Sequence, residues 1–134
     1  MEDTLSTYRD SRGRIIALVI KASYSGNGID FFTKDEDFMQ VAYMGHPAGY
    51  AIAPHFHNLI RREVDYTCEA LIMRKGVMEV CLYEEQKIIH TFKLYIGDVL
   101  VLFGGGHGFK MIEAVEMIEI KQGPYVGIND KTRF

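Results

Sequence analysis

Cysteine is scarce in this sequence, and its two copies, Cys68 and Cys81, are too few for a disulfide framework. In a reducing compartment both are expected as small buried hydrophobes. Positive charge is not in surplus either. A formal net charge of −3 gives no electrostatic basis for holding a phosphate backbone, so nucleic acid is not an expected partner. Long apolar runs are missing as well: the first, "IIALVI", is too short to span a membrane. The acidic, polar opening "MEDTLSTYRD" lacks the basic flank and cleavage site of a signal peptide. A cytoplasmic protein with no membrane partner is expected. Repeats, low-complexity tracts and linkers are also lacking. The 134 residues suit one domain, 1–134, with 1–12 as an N-terminal arm and 124–134 as a C-terminal arm.

A sustained helical period is absent too, and what replaces it is a series of short apolar or alternating runs, the pattern of an all-β domain. "RIIALVIKA" and "IDFF" flank the turn-like "SYSGNG", and "FMQVAYM" precedes the loop "GHPAGY". A strand carrying two histidines follows. "TCEALIMRKG" passes through Gly76 into "VMEVCLYEE", which reads as a hairpin, and "QKIIHTFKLYIG" and "DVLVLFGGGHGF" keep the spacing. In "KMIEAVEMIEIKQG", Ile112, Ile118 and Ile120 beside Glu113, Glu119 and Lys121 predict two strands around a turn at "EAVE". Such strands suggest a sandwich or a barrel, which hides edges and apolar faces together.

Chemistry concentrates at "APHFHN". On a strand, side chains alternate between faces, so His55 and His57 point the same way and Phe56 the other. Glu69 begins a strand whose Leu71 and Met73 share its face, and a carboxylate on an inward face needs a cation or a partner. His107 follows a triple glycine that lets the chain bend at the end of an apolar strand. Three imidazoles and one carboxylate result.

These residues resemble the motifs of the cupins. The first cupin motif has HxH, a glutamate and a glycine seven residues further on, here His55, His57, Glu69 and Gly76; the second begins Gly-Asp and ends with a histidine after a glycine-containing turn, here Gly97, Asp98 and His107. Eleven residues separate His57 from Glu69, more than is usual, and Glu63 is the nearer carboxylate. Glu69 alone keeps the spacing to Gly76. The resemblance implies a double-stranded β-helix, or jelly-roll barrel, that dimerises with a second copy and holds a metal near one mouth. Its ligands are then His55, His57, Glu69 and His107. Imidazole and carboxylate suit a divalent transition metal (Fe, Mn, Ni, Co or Zn) rather than Ca²⁺ or Mg²⁺.

Arg61 is a candidate for a substrate carboxylate or phosphate, and Tyr66 and Tyr125 for a pocket wall. Arg62 beside Arg61 favours the plainer reading of a solvated loop. "GGGHG" lacks the pattern of a phosphate-cradling loop. The expected function is that of a metal-dependent enzyme acting on a small polar metabolite by Lewis-acid isomerisation or oxygenation. Alternatives are a metal-free sugar-nucleotide isomerase or epimerase with a histidine base, and a module that only binds a small ligand. No catalytic residue or substrate is legible.

Overall fold

A computed structural model describes residues 3–134. Its ten strands pair antiparallel throughout, and a single 3-10 turn, Gly127–Asn129, is the one helical element among the described residues. The expected all-β class holds. No helix of the described residues is long and apolar enough to cross a membrane. The chain forms two compact units: Ser25–Asp65 is one, and the residues before Ser25 join Tyr66–Phe134 in the other.

The unit Ser25–Asp65 contains a two-stranded sheet, β3 (Gly28–Phe31) with β4 (Ala42–Gly45). Residues 46–65 hold no strand and lie exposed. Two prolines, Pro47 and Pro54, remove backbone donors from this segment, and its sequence carries no polar–apolar alternation to give a sheet one face. The histidine strand expected across residues 53–58 is therefore absent.

In the larger unit, β1 (Leu5–Arg9), β2 (Ile15–Ile20), β8 (Val99–Leu102), β5 (Glu69–Lys75) and β10 (Glu116–Lys121) form one sheet in the order β1-β2-β8-β5-β10. A second sheet has β6 (Met78–Glu84) between β7 (Lys87–Leu94) and β9 (Gly106–Met111). The stretch expected as an N-terminal arm thus supplies a strand, Leu5 pairing with Ile20; residues 1 and 2 of that arm lie outside the described residues. Both sheets are open at their edges.

Alternation explains the core. Leu71 and Met73 of β5, Leu100 and Leu102 of β8, and Ala17 and Val19 of β2 face Met78, Val80 and Leu82 of β6 and Leu94 of β7, all buried in one cluster. Each of these valine, leucine and methionine side chains contributes about 1.5–3 kcal/mol by leaving water. From β5 onward the chain changes sheet at nearly every connection. β5 and β6 are consequently not the hairpin that their sequence suggests: β5 pairs with β8 and β10, and β6 with β7 and β9. The hydrophobic pattern is the same for a hairpin and for two strands facing across a core, so pairing is decided by the crossing at Gly76. "EAVE" likewise joins two strands, β9 and β10, that lie in different sheets.

Two elements of the motif pattern hold these crossings. Asp98 is buried; its carboxylate accepts the Tyr95 and Ala22 N–H groups at 2.9 and 3.0 Å and meets Lys21 Nζ at 3.4 Å, fixing the turn between β7 and β8. Gly76 has φ +83°, and a methyl group there would run into the Ala114 carbonyl. Gly76→Ala should therefore cost at least about 2 kcal/mol, since it adds a clash to a left-handed backbone. Gly13→Ala, with similar φ but open space around it, should cost only about 1 kcal/mol. Urea denaturation of the two variants checks the difference, and equal losses would contradict the crossing's steric origin.

Candidate functional site

The inward rows of the five-stranded sheet set the site. Glu119, Leu71, Leu100 and Val19 lie in register across it, and the next row is Lys121, Glu69, Leu102 and Ala17. Toward one end, then, the apolar interior gives way to charge on β5 and β10. Glu69 is 9% exposed, and a carboxylate so placed needs partners. On the opposing sheet the inward residues of β9 are His107 and Phe109, which stand opposite Leu82 and Val80 of β6.

His107 answers Glu69. Its Nε2 lies 2.9 Å from Glu69 Oε1, and its ring stacks on Phe109 with centroids 5.3 Å apart. The glycine before it is closely packed. Gly106 packs so closely that a methyl group would sit 3.0 Å from the Phe134 ring and 3.2 Å from Tyr83 Cβ. A larger residue there would have to push the Phe134 ring or Tyr83 aside by a few tenths of an ångström.

Four titratable groups are thereby coupled. The hydrogen bond from His107 pulls Glu69 down to about 2; burial opposes it, while a hydrogen bond from Glu119 and the charge of Lys121 assist. Glu119 moves the other way, raised chiefly by that hydrogen bond to Glu69 and then by burial and the like charge. The pair divides its roles: Glu69 stays ionised and Glu119 retains a proton to higher pH. Lys121 is raised by Asp130, whose carboxylate it meets at 3.2 Å.

These groups border a cavity of about 680 Å³, within the range of small-molecule sites. Glu69, Tyr83, His107, Glu119 and Lys121 line it together with residues 130–134. Charged and aromatic side chains with opposite proton preferences converge on one space, a combination suited to binding a polar molecule and moving protons on it.

Of the expected metal ligands, Glu69 and His107 meet. His55 and His57 belong to the unit Ser25–Asp65, exposed in its strandless segment, with ring centroids 5.5 Å apart and His55 Nδ1 at 2.8 Å from the Ala53 carbonyl. Their rings approach each other without a strand to align them. Glu63 and Arg61 are exposed in the same segment. No group of three or more His, Cys, Asp or Glu that could hold a metal ion occurs among the described residues. Tyr66 and Tyr125 are 67% and 79% exposed and stand outside the cavity wall, Tyr125 with Lys121 Nζ 5.8 Å from its ring centre. Cys68 is buried as expected, whereas Cys81 is only half-buried beside Thr91.

Glu119, Lys121 and the C-terminal residues escape a reading of the sequence. Alternation on β10 signals a strand without saying which parity faces in. Met117 packs on the core, so Glu119 and Lys121 share its inward face, while Ile118 and Ile120 are 42% and 52% exposed. The one available signal is that methionine, two residues before Glu119.

Glu69 ionises near 2 in the folded chain against an ordinary 4.5, so the unfolded chain takes up its proton first as pH falls. Its stabilisation is complete above about pH 4.5 and disappears between there and about 2. Glu69→Gln should cost about 1–3 kcal/mol at pH 7 and progressively less below pH 4.5. Urea midpoints for both proteins from pH 7 to 3 measure this, and a gap independent of pH would contradict it. No family model, curated protein or solved structure matches the chain, so the chemistry of the site rests on its own residues.

Proposed function

We propose that this protein is a cupin-like jelly roll whose cavity binds a small polar metabolite and moves a proton on it, with His107 as acid–base group and Glu69 as its orienting partner. The observation that carries the reading is the 2.9 Å contact between His107 Nε2 and Glu69 Oε1 in the wall of a 680 Å³ cavity. The repeated passage of β5 to β10 between two antiparallel sheets supports the jelly-roll topology.

The mechanism follows from the tautomer. An ionised Glu69 can only accept, so the proton of neutral His107 sits on Nε2 and leaves Nδ1 with a lone pair. A base of this kind removes a proton from carbon next to a carbonyl, and Glu69 stabilises the imidazolium that forms. Glu119, raised by its hydrogen bond to Glu69, lines the same cavity. Epimerisation of a sugar derivative beside its carbonyl needs that removal and the return of a proton from solvent to the opposite face; isomerisation needs in addition a proton moved between the two oxygens.

The same contact supports a second reading. One imidazole and one carboxylate, His107 and Glu69, would supply two ligands to a divalent Fe, Mn, Ni, Co or Zn ion. Such an ion would polarise a carbonyl oxygen as a Lewis acid.

Solvent exchange separates the readings. In D₂O, with a panel of keto sugars and nucleotide-linked sugars, the protein should place deuterium on the carbon beside the carbonyl of one panel member. His107→Ala should lose at least about 100-fold in that rate, and a chelator should leave it intact. Exchange abolished by the chelator and restored by one of the five metals establishes the metal reading, while exchange indifferent to His107→Ala refutes both.

A further inference from the structure

The unit Ser25–Asp65 has no interior of its own. Not one of its residues is buried, and its single sheet has two strands. On that sheet the usual alternation is reversed: Ile29 stands opposite Met44 with Phe31 on the same face, all three exposed, while Asp30 and Tyr43 of the other face are half-buried. The strandless segment adds Phe56, Leu59 and Ile60, exposed as well. A two-stranded sheet is marginally stable by itself and needs its apolar face packed against another element.

Area and charge say what covers it. The chain exposes 10057 Å², well above the about 7,100 Å² of a compact chain of 15.3 kDa. The excess, roughly 3,000 Å², is on the scale that permanent dimers hide, and theirs are the more apolar interfaces. Charge narrows the partner. In residues 50–65 Arg61 and Arg62 run directly into Glu63 and Asp65, so the segment has no net charge with its histidines neutral. It lacks the cationic surplus that would hold it on an anionic lipid surface. About a two-fold axis, however, the same strip meets itself reversed, which sets cations against carboxylates.

We infer that the unit Ser25–Asp65 is a self-association surface, covered by the same unit of a second copy of this chain. Ile29, Phe31 and Met44 pack on their two-fold counterparts as sheet on sheet, and Phe56, Leu59 and Ile60 extend that apolar centre. The charged run Arg61–Asp65 forms its rim. Two sheets of two strands then share a core that neither has alone.

Sedimentation equilibrium of the full chain from about 1 to about 100 µM, read beside amide hydrogen exchange, tests it. The wild type should be a dimer at about 10 µM, and exchange of the Gly28–Phe31 and Ala42–Gly45 amides should slow as concentration rises. Phe31→Asp/Leu59→Asp alters only side chains that are exposed in the single chain, so it should weaken association at least about 100-fold and leave the amides of β5 and β6 as protected as before. A wild type still monomeric at about 100 µM overturns the self-association, and its flotation with phosphatidylcholine vesicles would assign the surface to lipid instead. A dimer of unchanged affinity in the double variant overturns it too, because the interface then lies elsewhere.

Discussion

A carboxylate stands where the inward face of a β-strand would otherwise continue with an aliphatic side chain, and much of the site is a response to it. Glu69 lies in register between Lys121 and Leu102 on the face that Leu71 and Met73 continue into the core. Left alone it would take up a proton or swing toward water, because desolvation penalises the charged form. The chain instead brings His107 across from the other sheet and places Lys121 and Glu119 beside it. These groups border the cavity.

The sandwich is what allows two such distant residues to meet. Glu69 and His107 are carried by strands of different sheets, and no hairpin could set them face to face. The crossing at Gly76, where only glycine clears the Ala114 carbonyl, sends β6 to the opposing sheet, and β9 then pairs with β6. The turn held by Asp98 returns the chain to β8, the neighbour of β5. Gly76, Gly97 and Asp98 entered as parts of a metal-site motif; in the fold, Gly76 and Asp98 act as fixtures of strand crossing. Motif and architecture are therefore linked by backbone sterics and by a buried hydrogen-bonding carboxylate.

Much of this was legible in the residues. Period-two alternation announced the strands, an inward Glu69 announced a partner, and the glycines before His107 announced a bend at the end of an apolar strand. Three things were hidden. His55 and His57 have the spacing of strand neighbours, but spacing is only half of a strand; without alternation around them and with Pro54 beside them no ladder forms. β5 and β6 look like a hairpin because facing strands and paired strands share one hydrophobic pattern. The parity of β10 was concealed because its isoleucines, 42% and 52% exposed, are not the residues that share the face of Met117. A C-terminal wall is harder still, since its residues have no period and are placed by two contacts, Asp130 to Lys121 and Phe134 to Tyr83.

The central claim is that an ionised Glu69 accepts a hydrogen bond from Nε2 of His107 and thereby fixes the imidazole. Long-range ¹H–¹⁵N spectra of the histidine rings at pH 7.5 read this directly, because the two ring nitrogens resonate far apart when the proton stays on one of them. The account predicts His107 with its proton on Nε2 and a pyridine-like Nδ1, and an averaged ring once Glu69 is replaced by Gln. A proton found on Nδ1, or a ring already averaging between tautomers beside an intact Glu69, would contradict it.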